Sequence, residues 1–418
     1  MRVLICPDSF KGSLTAAEAA TAIARGVAEV WPEAACQVMP MADGGEGTSA
    51  ILTQAWGAVW QTTVVASPRG SPVSAGWGWD ARHRRAVVDV AAVCGLPLTP
   101  PALRQPWQMD TRGVGELLQA VVARGARSVW IGLGGSGTND AGAGMLHALG
   151  LRFLAADGGF LNPTPAELAE AVALDWSGFP AALRQIEWQV LTDVDARLTG
   201  AAGATHRFGA QKGVPLDELD ALDARLAQIG QLLAPEADSV PGDGAAGGLG
   251  FALRTALGAS LSSGSARVAE AIGLAEAIMS ADWVMTGEGR FDASSDQGKV
   301  VGTVRRLAAA AGKPVCVLAG QADAVAVARA AESGVCVRAV VPDIATEAES
   351  LTEPASLLAA LAAQVCRERG GWQIKRGKPT PWVESTGCRM VLECIDPGGR
   401  EIAPDDTPLP AAKWRVDR

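Results

Sequence analysis

Short apolar runs that end in glycine- or acid-bearing loops and then pass into helix recur along this chain, and they leave few folds open to it. The densest case is Ile131-Gly132-Leu133-Gly134-Gly135-Ser136-Gly137-Thr138-Asn139-Asp140-Ala141-Gly142-Ala143-Gly144. Ser128-Val129-Trp130-Ile131 leads into it as a buried strand, and Met145-Leu146-His147-Ala148-Leu149 leaves it as a helix. Glycine at this density lets a backbone come close to a ligand and aim several N–H groups at it, with Ser136, Thr138, Asn139 and Asp140 as side-chain partners. A tight strand-to-helix turn without a ligand explains the glycines equally well, and only the recurrence tips the balance. The other loops of this kind lie around Asp8, Asp43, Asp193, Lys212 and Glu288.

Both ends of the chain carry the same pattern. Arg2 to Cys6 predicts a strand, Pro7 to Ser13 a polar loop, and Thr15 the cap of an alanine-rich helix to about Val30. Cys36 to Met39 predicts a strand that runs into Ala42-Asp43-Gly44-Gly45-Glu46-Gly47-Thr48 and a helix to about Trp56. Near residue 280 the pattern returns: a strand Ala281–Met285 ends in Thr286-Gly287-Glu288-Gly289-Arg290-Phe291-Asp292, and Gly298-Lys299 opens a helix to about Ala311. Strands over 314–318 and 335–341 then alternate with a helix over about 323–332 and another to about Arg369. Such repetition is doubly wound and parallel, and its ligands gather at the carboxyl ends of the strands.

The middle differs. Val59 to Asp89 reads as antiparallel strands with turns at Pro68-Arg69-Gly70 and Gly76-Trp77-Gly78. A helix from about Gly113 to Ala123, a strand over Ile186–Thr192 closing on Asp193-Val194-Asp195, and a helix over about 215–233 follow. Gly244 to Gly250 opens a further helix, where small residues favour close packing. The expected fold is therefore α/β in two domains: a discontinuous Rossmann-like doubly wound domain from residues 1–65 and 280–370, and an inserted mixed α/β domain over 66–279. Residues 371–418 read as a small C-terminal β appendage or partly ordered tail, with one strand-like run at Arg389–Ile395.

A chain of 418 residues exceeds one ordinary core, and 48% hydrophobic against 19% charged content suits compact α/β structure. A net charge of −9 without a Lys/Arg cluster argues against nucleic acid and for small-molecule chemistry. No apolar run reaches about 18 residues and no signal-peptide pattern opens the sequence, so a cytoplasmic protein that avoids membranes is expected. Eight cysteines without a C-x-x-C pair read as reduced core thiols. His83, His147 and His206 are far apart, which leaves little material for a His/Cys metal site or a Ser-His-Asp triad; His147 reads as a packed helical residue.

Together the loops supply carboxylates for a hard cation such as Mg²⁺, lysines as point charges for phosphate, and N–H cradles. Phosphoryl transfer uses these parts, because it depends on positioning and charge neutralisation. There is no G-x-x-x-x-G-K-[ST] P-loop, so a nucleotide must be held another way. The rival reading is an NAD-dependent oxidoreductase acting on a small hydroxy acid. Gly132-x-Gly134-x-x-Gly137 matches the dinucleotide fingerprint, and Asp157 lies 20 residues past Gly137. That reading leaves Asn139-Asp140 and the loops at Asp43 and Glu288 without a role.

The ordered segments Asp8-Ser9-Phe10-Lys11-Gly12-Ser13, Ala42 to Thr48, Gly132 to Asp140, Phe208-Gly209-Ala210-Gln211-Lys212-Gly213, Ala245 to Gly250 and Thr286 to Asp292 resemble the bacterial type 1 glycerate kinases over roughly residues 1–368. The resemblance implies a two-domain α/β fold with the site in a cleft between lobes. It also implies ATP- and Mg²⁺-dependent phosphorylation of D-glycerate, usually to 2-phosphoglycerate, in organic-acid metabolism, with D-glycerate and ATP as partners and a homodimer allowed.

Residue roles follow from that resemblance. Asp193, Lys11 and Asp8 are the catalytic candidates, with Asp193 accepting a proton from the attacking hydroxyl or orienting it, unless it merely caps a helix or forms an Asx turn. Ser9, Arg290, Asp292, Ser136, Asn139 and Asp140 are candidates to hold substrate, Arg290 as a fork on the carboxylate or in a plain ion pair with Glu288 or Asp292. Gly134, Gly135, Thr138, Lys212, Gly287, Glu288 and Lys299 are the nucleotide and phosphate candidates. Asp43 and Glu46 are the Mg²⁺ candidates, with helix capping as their alternative role. The chain departs from the family pattern at Ala196, where Asn is usual, at Asp89-Val90 for Glu-Met, at Ala210 for Pro and at Ser294 for Gln; a Pro expected soon after Lys299 is absent. These departures admit a non-catalytic glycerate-binding relative, whereas the retained Asp193, Asp43 and Lys212 favour an enzyme.

Overall fold

Thr15 starts the helix Ala16–Val30 through a complete capping box: its hydroxyl accepts the Glu18 N–H at 3.2 Å, and the Glu18 carboxylate accepts the Thr15 N–H at 2.8 Å. The helix then buries Ala19, Ile23 and Val27, one face at helical spacing. The computed structural model describes residues 1–295 and 298–370, of which Met1–Arg367 form one compact unit. Among these residues the strands, in chain order, are β1 (Arg2–Ile5), β2 (Ala35–Val38), β3 (Val59–Ala66), β4 (Pro72–Asp80), β5 (Arg85–Asp89), β6 (Ser128–Gly132) and β7 (Arg152–Leu154). There follow β8 (Phe160–Leu161), β9 (Ala173–Asp175), β10 (Glu187–Leu191), β11 (Ser260–Ser262), β12 (Trp283–Phe291), β13 (Val315–Ala322) and β14 (Cys336–Ala339).

Five strands make a wholly parallel sheet in the order β14-β13-β12-β1-β2. Both its faces are covered. Val3, Ile5, Met285 and Leu318 pack against the helices Ala16–Val30 and Pro354–Gly370, while Leu4 and Val284 pack against Leu274–Ser280 and Val300–Ala310. This is the doubly wound arrangement, and the strand order reverses between β1 and β12, where such sheets open a crevice at their carboxyl edge. A second sheet runs β11-β10-β6-β5-β4-β3. Its β3-β4-β5 part is antiparallel as expected, and β5, β6, β10 and β11 are parallel. Trp77, Val88, Leu117, Ile131, Val190 and Leu249 share its core. A small antiparallel sheet, β8-β7-β9, lies beside it in sequence.

Several expectations need correction. The strand β12 does not stop at Met285; it pairs with β13 from Val284↔Val315 to Phe291↔Ala322, so Thr286 to Phe291 is strand and not loop. The glycines read as punctuation are close-approach positions: a Cβ on Gly287 would sit 2.2 Å from the Leu318 carbonyl oxygen, and one on Gly289 3.2 Å from the Lys11 nitrogen. The last helix is three, Val340–Asp343, Glu347–Thr352 and Pro354–Gly370, the second opened by a capping box at Thr346 and Glu349. A domain boundary near residue 65 would cut through β3, which belongs wholly to the six-stranded sheet. The reading of 371–418 lies outside the described residues. Cys6, Cys36 and Cys94 are free thiols, and no helix among the described residues is long and apolar enough to cross a membrane.

Candidate active site

The loop after β2 lies directly on the loop after β6, backbone against backbone. Gly134 donates its N–H to the Gly44 carbonyl at 2.9 Å, and a Cβ on Gly134 would come to 2.5 Å from the Gly45 Cα. A Cβ on Gly44 would reach 2.6 Å from the Leu191 carbonyl oxygen at the end of β10. Leu133 donates to Leu191 and Gly137 to Cys94. The expected anion cradle is thereby revised: the N–H groups of Leu133, Gly134 and Gly137 are taken by protein carbonyls, and the glycines let three strand-end loops touch.

Around this contact two cavities open, of about 340 and about 320 Å³. The first is formed by Asp8, Ser9, Phe10, Lys11 and Ser13 after β1, by Glu288 to Arg290 on β12, by Asp292, and by Gly320 and Gln321 on β13. Val340, Leu351, Pro354 and Leu358 give it an apolar wall. Asp8 is buried and its carboxyl is held well above the usual carboxylate range, first by burial and then by Asp43, against the pull of the Ser9 N–H and Lys11. Burial also pushes Glu288 up to about 7, opposed by a hydrogen bond from Ser295 and by Lys299. Asp292 is drawn down by Ser294, whose N–H and hydroxyl both donate to it, at 2.8 and 2.6 Å. The Ser294 hydroxyl in turn accepts from Lys299 Nζ at 2.8 Å, so this departure from the family pattern links an acid to a base of the site.

The second cavity is lined by Leu133 to Ser136, Thr192 to Val194, Phe208, Gln211, Lys212, Ala245 and Ala246. Asp193 is held at both carboxylate oxygens, by Ser263 Oγ at 2.7 Å and by the Ser265 N–H at 3.1 Å; burial nonetheless raises its affinity for a proton. Lys212 is only 3% exposed, and its ammonium donates to Ser136 Oγ at 3.1 Å and to the Thr138 carbonyl at 2.7 Å. Burial lowers it to about 8, with Cys94 and Asp140 pulling the other way. Lys11, Asp43 and Lys299 line both cavities.

Five sequence candidates, Thr138, Asn139, Asp140, Gly287 and Glu46, stand outside both linings. Asp140 is fully buried and caps locally, accepting from the Thr111 N–H and hydroxyl at 2.8 and 2.7 Å and from the N–H groups of Gly142 and Gly144. Asn139 donates to Thr205 Oγ1 at 2.9 Å, and Thr138 is buried with its carbonyl on Lys212. Gly287 lies inside β12, and Glu46 points to solvent. Asp89 is buried and caps the helix Thr48–Ala55 by accepting from Gly47 and from the N–H and hydroxyl of Ser49, with burial pushing it up to about 7. The residues missed in sequence are chiefly Gln321, Val340, Leu351 and Leu358; the strand-end rule extended to β13 and β14 finds the first two.

The dinucleotide fingerprint lacks its context. No helix opens at Gly137; the next begins at Ala143, and Asp157 sits in the β7–β8 hairpin with its carboxylate on the Gly159 N–H.

An α/β protein whose acids and lysines converge where two sheets meet at their carboxyl edges is the class this geometry defines. The chain matches the family model described as Glycerate kinase family over residues 3–369. It is 43% identical over 324 residues to the glycerate kinase of Bacillus subtilis, covering 77% of this chain and 85% of that one. It is 39% identical over 324 residues to the glycerate 2-kinase of Escherichia coli, with the same 77% and 85% covered. A crystal structure from Salmonella typhimurium, of a proposed glycerate kinase 2, aligns with a TM-score of 0.72 at 36% identity, covering 89% of this chain and 98% of that one. The chain belongs to the glycerate kinase family.

Proposed function

We propose that this protein transfers the γ-phosphoryl group of ATP to D-glycerate, giving 2-phosphoglycerate and ADP. The observation that carries the reading is that Lys11, Asp43 and Lys299 line both cavities, so ligands in the two would meet between two cations and an acid. Phosphoryl transfer needs such a junction, because little covalent work falls to the protein once donor and acceptor are aligned and their charge is neutralised.

The nucleotide takes the first cavity. It has an apolar wall for a base, it lies where the doubly wound sheet reverses, and Lys11, Arg290 and Lys299 offer cations to phosphate. Asp8, Asp43 and Glu288 are hard oxygen donors on the same cavity; no three of the described carboxylates form one site, so a Mg²⁺ ion would take one or two of these and draw its remaining ligands from phosphate and water. Mg²⁺, when bound, neutralises charge on the phosphates. D-glycerate takes the second cavity, its carboxylate on the Lys212 ammonium beside Ser136 and its hydroxyl facing Asp193. Arg290 and Lys212 thus exchange the roles that the sequence suggested. The glycerate oxygen attacks the γ-phosphorus, ADP leaves, and the hydroxyl proton passes to Asp193. The two sheets are the cores of two lobes, with the boundary before β3, and on this reading the enzyme works on organic acids in the cytoplasm.

The test is a coupled assay for ADP release with D-glycerate, ATP and Mg²⁺, with phosphorus NMR on the product. Turnover to 2-phosphoglycerate is expected. A folded protein that releases no ADP refutes the reading, and 3-phosphoglycerate as product refutes the assigned hydroxyl.

A further inference from the structure

We infer that the turn Ser263-Gly264-Ser265 is a positioning device that holds Asp193, Asp43 and the Lys299 segment in mutual register, an inference that rests on the kinase reading above. None of the three residues lines either cavity, so each acts through others. Between them they nonetheless touch three parts of the site. Ser263 Oγ and the Ser265 N–H take the two carboxylate oxygens of Asp193, at the end of β10. Gly264 packs on the loop after β2 so closely that a Cβ would stand 2.2 Å from the Asp43 carbonyl oxygen and 2.5 Å from the Gly44 nitrogen. The Ser265 hydroxyl, fully buried, donates to the Gly298 carbonyl and lies 2.9 Å from Thr303 Oγ1, gripping the chain on both sides of Lys299.

Helix capping alone does not explain the arrangement. Ser263 does cap the helix Gly264–Ala271, accepting from the Ala266 N–H at 3.3 Å. A cap needs neither a buried second hydroxyl directed at another loop nor a glycine against Asp43. The three anchored segments follow β2, β10 and β12, and Lys299 and Asp43 are two of the three residues common to both cavities. A three-residue turn therefore spans the junction at which phosphoryl transfer takes place, with hydrogen bonds to two segments and a backbone contact to the third.

The test compares Ser265→Ala and Ser263→Ala in the ADP-release assay, alone and combined with Lys299→Met and Asp193→Asn. S265A keeps the backbone bond to Asp193 and loses the grip on Gly298 and Thr303. It should lower kcat and raise the KM for ATP, each about tenfold, the size expected for one hydrogen bond that orients a charged group. Both effects should vanish when Lys299 is already Met. S263A removes one bond from Asp193 together with the cap on the Ala266 N–H, at an exposed position, and its urea unfolding measures the loss of the cap separately. It should lower kcat with KM for ATP unchanged, and its effect should vanish in the Asp193→Asn background. Effects that simply add, or a kcat that stays at the wild-type value in S263A, overturn the inference. Wild-type protein assayed alongside separates the two failures: without wild-type turnover the kinase reading falls and takes this inference with it, whereas normal turnover with additive variants removes the positioning role alone.

Discussion

Lys212→Met tests the second cavity most directly, because wild type and variant should change rank with pH. The Lys212 ammonium is buried, and its pKa falls from the ordinary 10.5 to about 8 because burial disfavours the charged form. At about 1.4 kcal/mol per unit, holding that charge inside the fold costs about 3 kcal/mol at neutral pH. Against this stand its hydrogen bonds to Ser136 and Thr138, about 1 kcal/mol each. The sign follows from proton counting. Between about 8 and 10.5 the unfolded lysine binds more protons than the folded one, so its contribution to stability rises with pH and is lost as pH falls through about 8. Methionine has no charge and no such dependence. The variant should therefore be more stable than wild type at pH 7 by about 1 kcal/mol, and less stable above pH 10.5 by about 2 kcal/mol. Urea unfolding of both proteins across this range reads the crossing. In the same samples D-glycerate should stabilise wild type but not the variant, while ATP with Mg²⁺ should stabilise both. A stability difference that does not change with pH refutes the buried-charge argument, and an intact response to D-glycerate refutes Lys212 as the carboxylate contact.

Asp193→Asn should lower kcat by about a hundredfold or more, the usual loss for a general base, while stabilisation by ATP with Mg²⁺ survives; unchanged turnover removes Asp193 from the mechanism. Gly134→Ala forces a methyl to within 2.5 Å of the Gly45 Cα and should destabilise the protein by about 1–3 kcal/mol in thermal or urea unfolding, and a variant as stable as wild type would contradict the backbone contact between the loops.

Elements set by local chemistry were legible in the sequence. The Thr15–Glu18 capping box needs only residues three apart, and Asp8, Asp43 and Asp193 could be read as strand-end residues because parallel sheets put ligands there. Thr138 to Asp140 were misleading for a definite reason. Dense glycine serves close approach to a ligand and close approach to another backbone alike, and only the presence of Gly44 and Gly45 opposite Gly134 decides between them. The same ambiguity hid the length of β12, since Gly287 and Gly289 signal a turn until β13 supplies a partner. Ser265 carries no periodic or motif signal at all; its role comes from two segments that approach it from 72 and 33 residues away in sequence.

The pairing of β1 with β12 also orders events in time. Val3, Leu4 and Ile5 find their parallel partners at Trp283, Val284 and Met285, so a ribosome must deliver nearly three hundred residues before the first strand has a neighbour on that side. The strands of the six-stranded sheet all lie between Val59 and Ser262, so that sheet is complete in the nascent chain before β12, which begins at Trp283. During synthesis the middle of the protein can gain its core while the opening strand and helix wait beside it, with apolar faces still open to solvent. Because Asp8 follows β1 and Glu288 lies on β12, whose pairing must wait for the later strand, and because Gln321 and Leu358 come later still, a truncated or stalled product has no first cavity, and catalytic competence arrives only with the far end of the chain.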